Sequence, residues 1–162
     1  MAMAVRVQLE DFDIAAELDA LSQGNHGIGG VALFVGLVRD MAGGETIGAM
    51  ELEHYPGMTE RELERIEATA RERWPLEDAL IVHRHGRLEP GDRIVLVAAA
   101  SAHREAAFEA CHFVMDFLKT RAPFWKKEET SDGGKWVDAR TSDDAAAARW
   151  IEEGTAKEAA AE

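Results

Sequence analysis

The sequence predicts an α+β protein built as a single domain. Three observations carry that expectation. Strand-like and helix-like periodicities are mixed along the 162 residues rather than alternating as regular βα units. Two apolar runs, 79–88 and 93–100, flank Glu89-Pro90-Gly91-Asp92, which reads as the turn of an antiparallel hairpin. No internal repeat and no linker divides the chain, and its length is about one domain's worth.

Each element follows in order. Residues 5–9, "VRVQL", alternate in the manner of a strand, and Asp11 or Asp13 is placed to cap a short helix over 14–21. "QGNHGIGG" is a Gly-rich loop. The β-branched run 31–39 reads as a central strand ending at Arg39, "DMAGGE" as a turn, and 46–55 as a returning strand. Pro56 and Gly57 interrupt the chain before a charged helix over 58–73, with apolar positions Met58, Leu63, Ile66 and Ala70; Pro75 ends it. After the hairpin, Ser101 is placed to N-cap a long helix over about 102–121. Its apolar stripe is Ala107, Phe108, Cys111, Val114, Met115 and Leu118, spaced at three and four. Pro123 then imposes an extended segment, followed by a turn at 132–136 and a short strand over 135–140. The folded domain is expected over 1–141. Residues 142–162 form an acidic Ala/Glu-rich C-terminal tail, at most a surface helix.

Composition narrows the function. With 31 acidic residues against 18 Lys+Arg the net charge is −13, which argues against non-specific binding to nucleic acid or an anionic membrane. An anionic ligand must therefore be held by local cations. The one cysteine, Cys111, excludes an intrachain disulfide and a Cys-rich zinc site. The N-terminus lacks the basic and apolar regions of a signal peptide, and no run approaches the 18–20 or so apolar residues of a bilayer span. A cytoplasmic location is expected.

Cations gather in two places. Ser101, His103 and Arg104 stand at the start of the long helix, where free N–H groups and the dipole favour an anion. Residue types alone favour a solvated helix start. At the other end, "LKTRAPFWKKE" (118–128) holds Lys119, Arg121, Lys126 and Lys127 with no carboxylate between Lys119 and Lys127. On a continuing strand Lys126 and Lys127 point to opposite sides, so only one faces a pocket. Sixteen residues at about 1.5 Å each separate His103 from Lys119 by about 24 Å, too far for one small ligand. If both belong to one site, two chains supply it. His83, His85 and Arg87 read as one strand face; the His-x-His pair lacks further ligands, so no metal and no other cofactor is expected. Cys111, inside the apolar stripe, reads as a small buried hydrophobe.

Taken together, "FVGLVR" (34–39), "LEHYPGMTE" (52–60), "HRHGRLEPGD" (83–92), "SAHREAAFEACHFVMDFLKTRAPFWKKE" (101–128) and "WVDAR" (136–140) resemble the catalytic (large) subunit of molybdopterin synthase. The resemblance runs from about residue 5 to residue 141. It implies an α+β fold with an α/β-hammerhead-like portion and an additional antiparallel sheet. It also implies a sulfurtransferase that converts cyclic pyranopterin monophosphate to the molybdopterin dithiolene. Sulfur arrives on the C-terminal thiocarboxylate of a small ubiquitin-like subunit, and a central homodimer of large subunits carries a small subunit at each far end, a heterotetramer. Carried onto this chain, Lys119 and Lys126 are the catalytic lysines. Arg39, His103 and Arg104 hold the substrate's pterin and phosphate. Lys127 and Glu128 belong to the same motif, Arg140 is a further ligand contact, and Phe34 and Met115 line the pocket. The rival reading is a non-catalytic module that captures an anionic ligand or a ubiquitin-like C-terminus.

Overall fold

A computed structural model describes residues 4–42, 45–46, 48–130, 133–137 and 144–151. In chain order the elements are β1 (Val5–Gln8), α1 (Ile14–Ser22), β2 (Gly30–Leu37), β3 (Met41–Ala42), β4 (Glu45–Thr46), β5 (Met50–His54) and α2 (Met58–Arg73). There follow β6 (Leu76–Arg84), β7 (Gly86–Leu88), β8 (Arg93–Ser101), α3 (Arg104–Arg121), β9 (Phe124–Thr130) and β10 (Gly133–Val137), with a further helix, α4, over 144–151. One sheet has the order β1-β6-β8-β2, with β1 and β6 parallel and its other pairs antiparallel. The second, β10-β9-β5-β7, is antiparallel throughout and is the additional sheet expected. Among the described residues no helix is long and apolar enough to cross a membrane.

The first sheet is covered on both faces, which is why β8 reads as a nearly continuous apolar run. Val95, Val97 and Ala99 face a layer made by α2 and α3, with Leu63, Ile66, Ala70, Ala107, Cys111, Val114 and Leu118. Leu96 and Ala98 point the other way, toward Phe12, Ile14 and Leu21 on the α1 side. Asp13 caps α1 by accepting from the Ala16 amide (3.1 Å), whereas Asp11 pairs with Arg93 (2.8 Å). The 89–92 turn closes with the Asp92 N–H donating to the Glu89 carbonyl (2.9 Å), Pro90 at its second position and Gly91 at φ 91°. That is type II geometry, which needs a residue free to take positive φ.

The structure corrects several sequence-based expectations. β2 is an edge strand, not a central one. An apolar run does not by itself report a place inside the sheet, and here Leu33, Phe34 and Leu37 remain exposed at 38%, 41% and 54%. The run 79–88 is two strands in two sheets, because the chain turns at Gly86 (φ 91°). His83, His85 and Arg87 therefore do not share a strand face. Ser101 ends β8 instead of capping α3: its buried hydroxyl donates to the Pro75 carbonyl (2.9 Å) and accepts from the His103 amide (3.3 Å). His103 takes the cap position with no side-chain cap bond. Met58 and Phe108, expected in apolar stripes, are exposed.

Within the stretch 142–162, α4 buries one side. Ala147 and Trp150 join the helix-layer core, and the Trp150 ring meets Trp74 and Phe113 edge-on at 5.5 and 5.6 Å. Its Nε1–H donates to Asp116 (2.6 Å) and its carbonyl accepts from Arg73 (2.7 Å). A lone Trp among alanines gives little periodic signal, so the sequence pattern understates this contact.

Candidate active site

The site is positioned by the direction of α3. The helix begins where β8 ends, at Ser101–His103, and runs back across the strand. Halfway along, the Cys111 thiol lies 3.9 Å from the Val97 carbonyl. By its last turn the helix has reached the start of β8: the charge of Lys119 acts on His83, whose partner on β8 is Val95. A cation in the last turn also complements the helix dipole, which by itself is a sufficient structural reason for Lys119 and Arg121.

Two other elements deliver cations to the same end. β2 runs antiparallel to β8 and finishes there, and Arg39 follows directly. The backbone at this point is fixed to the 89–92 turn: the Val38 amide donates to the Asp92 carbonyl (2.9 Å) and the Gly91 amide to the Val38 carbonyl (2.8 Å). Val38, Arg39, Asp40, Pro90 and Gly91 line an open cleft of about 450 Å³. From the second sheet comes Lys126 on β9, directly opposite Leu52 of β5. Leu52 and its same-face neighbour Met50 are buried, so Lys126 and Phe124 stand on the inner face of this sheet. Lys127 stands on the other face with Trp125, opposite Glu51. The turn from α3 into β9 is held where Thr59 Oγ1 donates to the Pro123 carbonyl (3.0 Å).

His83 fills the seam between the sheets. Its ring stacks on Phe124 with centroids 3.9 Å apart and planes 20° from parallel. Beside it the His54 and His85 rings lie 4.1 Å apart. Protein packs closely around His83, although part of its surface stays accessible. That desolvation pushes its pKa down to about 4, assisted by the positive charges of Lys119, His85 and His54 and opposed by its bond to the Arg84 carbonyl. Residue types flagged His83 only as half of a metal pair, and gave no signal for its stacking on Phe124. Among the described residues no group of three or more His, Cys, Asp or Glu side chains is arranged to hold a metal.

The remaining candidates divide sharply. His103 and Arg104 are exposed at the far end of α3, about 24 Å from Lys119 along the helix. Phe34 is exposed on the β2 edge, and Met115 is buried in the helix-layer core. Glu128 follows Lys127 on β9, opposite Met50, with its side chain outside the described residues; Arg140 lies outside them altogether. Cys111 is buried, and desolvation raises its thiol pKa to about 11, so it stays protonated near neutral pH. One chain thus places Arg39, Lys119 and Lys126 on three elements toward one end of the sheets and His103 and Arg104 at the far end of α3.

Comparison with known proteins bears on what such an end does. Residues 7–121 match the model of the family described as MoaE protein. The chain is 61% identical over 150 residues to the molybdopterin synthase catalytic subunit of Pseudomonas aeruginosa, covering 93% of this chain and 100% of that protein. Among solved structures, the molybdopterin biosynthesis MoaE protein of Burkholderia ambifaria is 58% identical at a TM-score of 0.79, covering 92% of this chain and 98% of that one. Molybdopterin synthase from Staphylococcus aureus is 32% identical at a TM-score of 0.78, covering 85% and 99%.

Proposed function

This chain belongs to the MoaE family, and we propose that its working site is the Arg39–Lys119–Lys126 end of one copy, completed by His103 and Arg104 of a second. The protein is the catalytic subunit of a molybdopterin synthase, a sulfurtransferase. It takes sulfur from the C-terminal thiocarboxylate of a small ubiquitin-like subunit and builds the dithiolene on cyclic pyranopterin monophosphate. Each sulfur delivered is replaced at the acyl carbon by an oxygen from water, which leaves the partner's C-terminus as a carboxylate. Both reactants are anionic, and a chain of net charge −13 can receive them only where cations are concentrated.

In this reading Lys119 and Lys126 neutralise negative charge that develops during transfer and move protons to and from the acyl-sulfur group. Arg39, with His103 and Arg104 of the second copy, holds the pterin and its cyclic phosphate. Phe34 borders the pocket and Met115 backs it from the core side. Glu128 orients a lysine, Arg140 adds a ligand contact, and Lys127 serves the motif from the outer face. Cytoplasmic residence belongs to the same proposal and agrees with a single buried free thiol.

The edge position of β2 supports the two-copy arrangement. Pairing two β2 edges antiparallel about a twofold axis sets the start of one β2 beside the end of the other. Since α3 begins near the start of β2 and ends near its end, His103 and Arg104 of one copy then approach Arg39 and Lys119 of its partner. The exposed Leu33, Phe34 and Leu37 are what such an edge would cover.

The placement of Arg39, Lys119 and Lys126, from three separate elements, toward one end of the fold supports the reading most directly. The test supplies thiocarboxylated small subunit and cyclic pyranopterin monophosphate and follows dithiolene formation. Product is expected; tight binding of both reactants without product would reduce the protein to a capture module.

A further inference from the structure

We infer that Gly29 and Ser101 are positioning residues for His103 and Arg104: together they clamp residues 101–103 between the start of β2 and residues 75–76, and so set where this pair stands relative to the β2 edge. The inference deepens the proposed function, because it rests on His103 and Arg104 reaching the site of a second copy.

Three observations carry it. The first is a close approach of backbone to backbone. The Gly29 amide donates to the Ser101 carbonyl (2.9 Å), and a Cβ on Gly29 would stand 2.1 Å from the Ala102 carbonyl oxygen and 3.0 Å from its carbon. Those are main-chain atoms next to a ladder pair, Gly30 with Ser101, so a side chain at Gly29 must push the turn toward α3 off the strand. The second is the fully buried Ser101 hydroxyl, which donates to the Pro75 carbonyl (2.9 Å) and accepts from the His103 amide (3.3 Å). Leu76 pairs with Ser101 from the same side. The third is a separate tie on the Gly-rich loop that ends at Gly29. The Asn25 side chain donates to the Glu77 carboxylate (3.2 Å) and accepts from the Gly27 amide (2.9 Å).

The His103 carbonyl then opens the helix by accepting from the Ala107 amide (3.3 Å), while its ring makes no capping bond. An imidazole and a guanidinium that serve another chain take their placement from their own backbone. Gly29 directly precedes β2, the edge proposed to pair with the second copy. Its contact with residues 101–102 therefore fixes the offset between the docked edge and the two cations. A misplacement of about 1 Å in such a group can cost a reaction about 100-fold.

The experiment uses the complete synthase with Gly29→Ala, Ser101→Ala and Gly30→Ala, the last adding a methyl that meets nothing within 4 Å. Gly29→Ala is expected to lower kcat/KM for cyclic pyranopterin monophosphate about 10–100-fold, mostly through KM, with KM for the thiocarboxylated small subunit within about twofold. Ser101→Ala should show the same pattern at about tenfold, and Gly30→Ala should match wild type. Subunit exchange adds a readout that a general loss of folding does not move. Gly29→Ala mixed with Lys119→Ala should recover roughly a quarter of wild-type activity, whereas mixed with His103→Ala it should gain nothing. Should Gly29→Ala not fold, Ser101→Ala carries the same exchange test. Wild-type KM in the folded variants, recovery with His103→Ala, or an equal loss in Gly30→Ala overturns the inference and leaves the roles of His103 and Arg104 standing. Full activity in His103→Ala and Arg104→Ala removes the second-copy half of the site first, and this inference falls with it.

Discussion

The two ends of α3 are built differently. At the C-terminal end, the charge of Lys119 reaches His83, which is stacked on Phe124 and bonded to Arg84, and the turn into β9 is fastened through Thr59 to Pro123. At the N-terminal end, His103 caps the helix without a side-chain bond, and Arg104 and Phe108 face outward beside it. One end is assembled within the chain. The other offers an imidazole, a guanidinium and an aromatic ring that stand exposed among the described residues. Since the two ends are about 24 Å apart, the difference supports the proposal of two half-sites, each finished by a second copy.

Breaking either half should abolish the reaction, and this is the largest effect expected. Lys119→Ala should lower the sulfur-transfer rate by about 10²–10⁴-fold, the range for losing a proton-transfer or charge-stabilising group, with circular dichroism and melting temperature unchanged. Mixing this protein with inactive His103→Ala under subunit exchange sharpens the comparison. In each mixed dimer one site regains both residues and the other loses both, so roughly a quarter of wild-type activity should return under twofold symmetry. No recovery would mean that each chain works alone.

How much of this was legible depended on whether a local signal existed. The α3 stripe, the Pro90-Gly91 turn and the cation cluster at 119–127 are written in short-range patterns, and the distance along one helix already pointed to a second chain if both cation groups serve one site. The edge position of β2 was hidden, because an apolar run looks the same in a central strand as on an edge where Leu33, Phe34 and Leu37 stay exposed. The break at Gly86 was hidden because one glycine at positive φ redirects a strand that otherwise looks continuous. His83 was misread for the same reason: its stacking on Phe124 joins residues 41 positions apart and exists only once the two sheets meet.

Between its ends α3 should act only as a spacer, held against the sheet and clasped by α4. Trp150→Ala removes a ring packed on Trp74 and Phe113 and a bond to Asp116. A stability loss of about 3–5 kcal/mol is expected from urea unfolding, while activity per folded molecule at low temperature stays near wild type. A rate loss larger than the folded fraction explains would make α4 part of the catalytic half and blur the contrast.

The next effect separates the two ends by pH. His83 binds its proton with a pKa of about 4 in the folded protein and about 6.5 when unfolded. Between those values the unfolded chain holds more protons, so stability rises with pH there and is lost as pH falls from about 6.5 to about 4. The full contribution is about 3 kcal/mol. His83→Phe should flatten this part of the stability–pH curve, measured by chemical denaturation at a series of pH values. His103→Ala, at the exposed end, should leave it in place. An identical slope in wild type and His83→Phe would show that the seam does not exclude the proton.

The smallest effect is expected at the middle of the helix. Cys111 has the one side chain here that chemists would first suspect in a sulfur transfer. Yet it lies in the core against the Val97 carbonyl, with desolvation raising its thiol pKa to about 11. A thiol attacks as its thiolate, and at neutral pH that form is scarce at such a site. The partner's thiocarboxylate supplies the sulfur, so the reaction asks nothing of Cys111. Cys111→Ser keeps a donor for the Val97 carbonyl but buries a more polar group, and should cost about 1 kcal/mol in urea unfolding with the rate of dithiolene formation unchanged. If turnover instead disappeared while the fold survived, sulfur would be passing through the centre of α3, and the division into two working ends and an inert middle would be wrong.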